Sequence, residues 1–97
     1  MNYWAWGGKY IGHRSGDVLY HKSGTPIGRF FDAELYDFSG RYLAEVRSDN
    51  RLIVHNSKRC YTKSASSKPS KMAGTSYSNY VGYVMYAGYD DFIWGNK

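Results

Sequence analysis

Short apolar stretches recur along the first two thirds of the chain at intervals of sixteen or seventeen residues. Each unit has two large apolar residues, two variable ones, a turn of small residues or glycine, two more variable ones, an aliphatic residue and a small one. The units are residues 3–12, 19–28, 35–44 and 52–61, at offsets of 16, 16 and 17. Because one such unit is too short to bury its apolar face alone, the repeat predicts units that pack against one another.

Turn signals follow one another roughly every eight residues, at Gly8, Gly16, Gly24, Asp32, Gly40, Asp49 and Ser57. This spacing leaves strands of about four to six residues and no room for helices of ordinary length. Glycine suits these positions because tight hairpin turns require a positive φ. The pattern therefore predicts an all-β domain of four short hairpins.

Closure of these hairpins around an axis would bring equivalent residues together, whereas an open meander would keep them apart. One set that closure would join is Trp4, Tyr20, Tyr36 and Ile53. A second set is Ile11, Ile27, Leu43 and Cys60. The fourth unit departs from the pattern, since Ser57 replaces the turn glycine and Cys60-Tyr61 replaces the aliphatic and small pair.

The repeats resemble the 4-fold β-flower domain of small bacterial proteins. The resemblance lies in the turn and packing motifs LYHKSGTPIG, LYDFSGRYL and HNS, and in the C-terminal GYDDFIW. It implies four hairpin petals around a pseudo-fourfold axis, a C-terminal closing segment and a bacterial source. The family has no established activity, so the resemblance assigns no functional residue. The divergent fourth unit puts strict fourfold symmetry in question.

The remainder of the chain has a different character from the four-hairpin domain, which we assign to residues 1–63. Residues 64–76 are small, polar and basic without periodicity, which predicts a flexible linker. Residues 77–97 form an aromatic segment with tyrosines at 77, 80, 83, 86 and 89. We expect Tyr80 to Tyr86 to be a strand or extended arm that packs on the hairpins. A short helical turn at Asp90 to Trp94, capped by Asp90, should follow.

Composition and chemistry together argue against an enzyme. Hydrophobic residues make up 42% of the chain and aromatic residues 19%, which is too apolar for a disordered protein. A nucleophilic pair of Cys60 with His55 is conceivable, but a buried structural cysteine is the commoner role. The sequence lacks metal-binding and nucleotide-binding motifs, so we expect no catalytic residue, metal or cofactor. Residues 1–8 do not have the pattern of a signal peptide, no apolar run is long enough to span a membrane, and we expect a cytoplasmic protein.

The net charge of +5 is concentrated in one stretch. Residues 41–71 carry eight basic residues against two acidic ones, whereas the charges of residues 1–40 cancel. Short hairpins with exposed edges and aromatic rims favour a protein interaction or self-association module. The alternative is nucleic-acid binding, with basic side chains on phosphates and tyrosines on bases. The predicted contact residues are Arg41, Arg47, Arg51, Lys58, Arg59 and Lys63, with Tyr42 and Tyr61 as stacking partners.

Overall fold

The computed structural model describes residues 1–94, and within them the chain forms eight strands and no α-helix. A 3₁₀ turn at Asn56–Lys58 follows the seventh strand. The all-β prediction is therefore confirmed. The strands are β1 Asn2–Ala5, β2 Tyr10–Ser15, β3 Val18–His21, β4 Pro26–Phe31, β5 Glu34–Tyr36, β6 Tyr42–Arg47, β7 Arg51–His55 and β8 Tyr89–Asp91.

The first seven strands close into a barrel. Each pairs antiparallel with the next along the chain, and β1 closes onto β7 in parallel through Trp4 opposite Arg51 and Ala5 opposite Leu52. The eighth strand adds to β7 in antiparallel register. The open meander is excluded by the pairing of β1 with β7.

The turn positions read from the sequence are confirmed by the backbone. Positive φ values occur at six of the seven predicted positions, Gly8, Gly16, Gly24, Asp32, Gly40 and Asp49. The seventh, Ser57, lies in the 3₁₀ turn instead. The loss of glycine in the fourth unit thus coincides with a different kind of turn.

The first of the two large apolar residues in each unit enters the barrel core. Tyr3, Leu19, Leu35 and Leu52 all belong to the central apolar cluster. Of the set expected to converge there, Tyr36 belongs to the cluster, whereas Trp4, Tyr20 and Ile53 are buried outside it. Successive strand residues point to opposite faces. The residues that converge in the core of all four units are therefore the ones directly before those that were predicted.

The second predicted set is confirmed in part. Ile11 and Ile27 lie in the central cluster and Leu43 packs against it. Cys60 is exposed, contrary to the expectation of burial. It follows the 3₁₀ turn, where the fourth unit no longer forms a returning strand.

The C-terminal strand occupies the place of the return strand that the fourth unit lacks. In the second unit, Tyr20 lies opposite Pro26 on the strand that returns from the turn. In the fourth unit, the equivalent Ile53 lies opposite Asp91 of β8. The helical turn and the capping role predicted for Asp90 are therefore wrong, because the backbone of β7 required a strand partner.

Candidate binding surface: the strap and its aromatic arm

Residues 63–86, which we call the strap, run from turn to turn across the barrel without forming a strand. Amides of the strap donate hydrogen bonds to the carbonyl oxygens of the three repeat glycines in reverse order along the chain. These bonds are Lys63 to Gly40 at 2.7 Å, Met72 to Gly24 at 3.0 Å and Tyr80 to Gly8 at 2.8 Å. One strap position is thus matched to each hairpin turn.

Three residues after each of these donors, another strap amide donates a second hydrogen bond to the same turn. It ends on the carbonyl two residues before the glycine, in Ser66 to Phe38 at 3.0 Å, Thr75 to Lys22 at 2.9 Å and Tyr83 to Trp6 at 3.0 Å. The strap therefore repeats its own docking geometry at three hairpins. This repetition satisfies carbonyl groups of the turns that no strand reaches.

The repeat glycines allow the strap to pass close to the barrel. Gly24 has a φ of 94° and Gly40 a φ of 98°. A Cβ atom at Gly24 would collide with the carbonyl oxygen of Met72, and one at Gly40 with that of Lys63. These glycines consequently serve both the positive φ of the turn and the close approach of another backbone.

Pro26 stands where the neighbouring units donate a further amide hydrogen bond to a residue in the strap or just before it. The equivalent amide of Tyr42 donates to the Tyr61 carbonyl at 3.1 Å, and that of Tyr10 to the side chain of Asn79 at 2.9 Å. Proline has no amide hydrogen, so the second unit needs no acceptor from the strap.

The predicted linker, residues 64–76, forms neither helix nor strand and contacts the barrel. Besides the amide bonds above, Arg29 donates to the Ser66 hydroxyl at 3.1 Å and to the Ser67 carbonyl at 3.0 Å. Its flexibility stays a prediction. The observed contacts give the segment specific partners along its course.

Residues 77–86, the aromatic arm, cover two indole rings of the first unit. The ring of Tyr80 stacks on Trp4 with centroids 3.8 Å apart and planes at 11°, and that of Tyr83 lies 4.8 Å from Trp6. Each indole N–H donates to an arm carbonyl, Trp4 to Ser78 at 2.9 Å and Trp6 to Val84 at 3.0 Å. Both tryptophans are buried with their polar atoms satisfied.

The docking explains why tyrosines recur every third residue. The amides of Tyr80 and Tyr83 both point at the barrel, so residues three apart share its side of the arm. A strand would place them on alternate faces, and a helix would rotate them around its axis. The arm forms no regular strand and lies against the first hairpin through these contacts.

Arg51 fastens the arm from the barrel side. Its guanidinium donates to the carbonyls of Trp6 at 3.1 Å and Val81 at 2.8 Å. It also lies over the ring of Tyr83, 4.3 Å from the centroid. With 4% exposure, Arg51 is not part of an exposed basic surface. The sequence offered no signal for this role, because a charged residue in a basic stretch resembles its exposed neighbours.

The outer face of the arm is apolar and accessible. Val81 is 85% exposed and Val84 is 87% exposed, and Met85 lies beside them in sequence. Tyr77, Tyr80, Tyr83 and Tyr86 are each about half exposed. A shallow cavity of about 350 Å³ lies where Tyr83, Val84 and Tyr86 meet Trp6 and Ser48.

Ion pairs occupy several of the predicted basic contacts. Lys58 lies 2.8 Å from Glu34 and 2.9 Å from Glu45. Arg47 pairs with the second oxygen of Glu45 at 3.3 Å, and Arg59 pairs with Asp90 at 3.0 Å. Each of these three cations is thus paired with a carboxylate, and Lys58 and Arg47 share Glu45.

Of the remaining predicted contacts, Lys63 lines one cavity together with Lys58. Arg41 is exposed, and its amide bonds the carboxylate of Asp37. The ammonium of Lys63 lies 5.5 Å from the ring centroids of Phe31 and Tyr36. Tyr61 is exposed, whereas the ring of Tyr42 is buried and cannot stack on a base.

Lys58 donates hydrogen bonds to two carboxylates, and one of them, Glu45, also accepts a hydrogen bond from a buried tyrosine. The Tyr42 hydroxyl donates to Glu45 at 3.2 Å and accepts the His55 amide at 3.0 Å, and burial raises the Tyr42 pKa well above its usual range. The hydrogen bond from Lys58 lowers the pKa of Glu34. Burial opposes the charge of Glu45, but Lys58 outweighs it and lowers that pKa too. Both carboxylates are ionised at neutral pH and join β5 and β6 to the 3₁₀ turn.

His55 has another partner than Cys60. Its Nδ1 atom lies 2.9 Å from the Ser57 hydroxyl, and its ring packs 4.4 Å from that of Tyr89. Residues 1–94 hold no group of three or more histidine, cysteine or acidic side chains arranged to bind a metal ion. In the same residues, no helix has both the length and the apolar character needed to span a membrane.

No protein-family model matches this chain, and no curated protein or solved structure matches it either.

Proposed function

We propose that this protein is a non-enzymatic binding domain that binds an acidic protein partner through the outer face of the aromatic arm. The observation that carries the proposal is the exposure of Val81 and Val84, at 85% and 87%, among four half-exposed tyrosines. Contiguous apolar surface of this kind marks interaction sites, and tyrosine is enriched in them.

The anchoring of the arm supports the same proposal. Two indole N–H groups, the amides of Tyr80 and Tyr83, and the Arg51 guanidinium hold the arm's backbone. A surface that is already ordered loses less conformational entropy on binding. The contacts on the inner side of the arm thus hold its outer side in one conformation before a partner binds.

The charge of the chain supports an acidic partner. A net charge of +5 attracts acidic proteins and speeds their encounter. The same charge repels a second copy of the chain, which makes self-association the less favoured form of the interaction. Nucleic acid would also be attracted, but Lys58 and Arg59 are engaged by carboxylates.

The test compares the outer face of the arm with a matched exposed residue elsewhere. The full chain, a Val81→Ser/Val84→Ser variant and an Ile93→Ser control are immobilised and exposed to native lysate. Ile93 is 79% exposed and lies outside the arm, so it matches the replaced valines in size and exposure. An acidic protein retained by the wild type and the control but lost from the double variant supports the proposal.

Three results would overturn it. Equal retention by all three proteins would place the interaction elsewhere on the surface. Concentration-dependent dimerisation in sedimentation, abolished by the double variant, would identify a second copy as the partner. Salt-sensitive fluorescence anisotropy with single-stranded DNA, duplex DNA or RNA, without a protein partner, would favour the nucleic-acid alternative.

We also propose that the four units are related by a pseudo-fourfold axis, as in the 4-fold β-flower family that the sequence resembles. The bulges between Tyr3 and Trp4, Leu19 and Tyr20, and Leu35 and Tyr36 support this arrangement, since they recur at one position of three units. The matched strap contacts at three glycines give further support. Cytoplasmic location and bacterial source stay predictions.

A further inference from the structure

A cavity of about 450 Å³ lies on another part of the molecule, where the first two hairpin turns meet the C-terminal segment. Lys9 and Lys22 line it from the two turns, and Phe92 and Trp94 line it from the C-terminal side. His21 and Tyr10 are among its other lining residues. We propose that this cavity binds a small aromatic molecule that carries an anionic group.

The charges around the cavity favour an anion. Within residues 1–94, neither Lys9 nor Lys22 forms an ion pair. Asp91 also lines the cavity, but its two oxygens accept the amide hydrogens of Gly7 at 3.0 Å and Phe92 at 2.9 Å. The two ammonium groups therefore leave the cavity with a positive excess that a single carboxylate, already hydrogen-bonded, does not cancel.

His21 adds a hydrogen-bond donor to this wall. Its Nδ1 atom accepts the amide hydrogen of Ser23 at 3.2 Å, so the neutral ring carries its proton on Nε2. Burial lowers the pKa of His21, and the charges of Lys22 and Lys9 lower it further. The ring is consequently neutral at pH 7, and both ammonium groups lie close enough to act on it.

The aromatic wall accounts for the second half of the ligand. The ring of Trp94 lies 4.9 Å from that of His21, tilted by 42°. Phe92, which also lines the cavity, is buried in the core cluster. Flat apolar walls with a few convergent polar groups are typical of small-molecule sites, and a volume of this size accommodates one substituted ring.

Another histidine followed two residues later by a serine offers an internal contrast. His55 has the same Nδ1 contact with its serine, Ser57, and similar packing against an aromatic ring. The residue between His55 and Ser57, however, is Asn56, whereas Lys22 stands between His21 and Ser23. The positive charge of Lys22 thus distinguishes the cavity beside His21 from the surroundings of His55.

Phenyl phosphate is the test ligand, titrated into the full chain at pH 7 and about 50 mM salt and followed by amide chemical shifts. We expect saturable shifts at residues around the cavity and weaker binding of both inorganic phosphate and phenol. Benzoate, added in parallel, distinguishes a carboxylate-binding from a phosphate-binding site, and saturable binding of either supports the proposal. Failure of both ligands to bind overturns it.

Variants separate the two halves of the site. Lys9→Gln and Lys22→Gln should each weaken phenyl phosphate binding on the order of threefold, and the double variant about tenfold. Lys68→Gln removes an exposed lysine that does not line the cavity and should leave the affinity unchanged. Trp94→Ala should weaken phenyl phosphate binding without changing that of inorganic phosphate. Equal affinities of the double lysine variant and the wild type would refute the site.

Discussion

The barrel and the strap are both built of extended chain, yet they are held by different interactions. Each barrel strand meets its neighbours along a ladder and buries apolar side chains, among them Leu19, Leu35 and Leu52 with no exposed surface. The strap meets the barrel through amides paired at three turns, and its Val81 and Val84 are mostly exposed. Apolar burial thus organises the barrel, while backbone groups left open at its turns direct the strap.

This difference implies that the barrel is the template on which the strap docks. The carbonyls of Gly8, Gly24 and Gly40 accept strap amides because the barrel already presents them at equivalent places. Because its backbone makes these contacts, the strap is free to use its outer side chains for binding. The comparison is tested by four predictions, in order of decreasing effect on stability.

The largest loss is expected from Arg51→Ala, which removes the main side-chain link between barrel and arm. The carbonyls of Trp6 and Val81 lose a charged donor and the ring of Tyr83 loses its cation, which together should lower the free energy of unfolding by about 4 kcal/mol. Urea unfolding followed by tryptophan fluorescence measures it. Arg51→Lys keeps the charge without the fork and should fall between. A loss under about 1 kcal/mol for Arg51→Ala would show that the link is dispensable.

The next largest effect separates the backbone strain of a turn from the passage of the strap. Gly16 and Gly24 both have positive φ, but a Cβ atom at Gly16 meets nothing within 4 Å, whereas one at Gly24 strikes the Met72 carbonyl. Gly16→Ala should cost about 1 kcal/mol and Gly24→Ala about 3 kcal/mol. Equal losses in thermal or urea unfolding would mean that the strap does not lie against this turn.

A moderate effect is expected within the barrel at Lys58, and it depends on pH. Lys58→Met leaves Glu34 and Glu45 without their cation and should destabilise the protein by about 2 kcal/mol at pH 7. Both carboxyls have pKa values lowered below the ordinary 4.5. Their contribution is present above that pH and is lost as the pH falls through the lowered values.

The pKa of Lys58 is raised, so Lys58 stays charged throughout this acidic range. Its own contribution to stability is present below pH 10.5 and is lost only at strongly alkaline pH. The gap in stability, which is the difference between the free energies of unfolding of the wild type and Lys58→Met, should therefore narrow as the pH falls from 5 to about 3. Unfolding midpoints at several pH values measure the gap. A gap that stays constant over this range would contradict the ion-pair origin of the effect.

The smallest effects compare the two faces of the arm at adjacent residues. Tyr80→Ala removes the ring stacked on Trp4 and should cost about 1 kcal/mol, with a change in tryptophan emission. Val81→Ala acts on a side chain that is 85% exposed and should change stability by less than about 0.5 kcal/mol. The reverse order of the two losses would show that the arm docks through its other face.

The barrel was largely predictable because its signals are local. The turn spacing follows from the need for positive φ at residues such as Gly24 and Asp32, and the repeat shows which segments are equivalent. Local pattern could not decide which of two adjacent apolar residues enters the core. Tyr3 and Leu19 do so, rather than Trp4 and Tyr20, because of the register of their strands.

The candidate binding surface was predictable only in part. A segment packed on the hairpins followed from its tyrosines, but the carboxylate partners of Lys58 and Arg59, which come from distant residues, did not. Asp90 lies 31 residues from Arg59, and no local pattern encodes that pairing. The burial of Arg51 under the arm is likewise a long-range event.

The sequence by itself determined that the protein is a small all-β domain, where its turns lie and which units are equivalent. These features depend on residues that are close together along the backbone. Tertiary structure alone decided the closure of β1 on β7, the route of the strap and the pairing of β8 with the divergent fourth unit. Those features depend on backbone hydrogen-bonding groups whose partners lie far away in sequence and come close only in the folded chain.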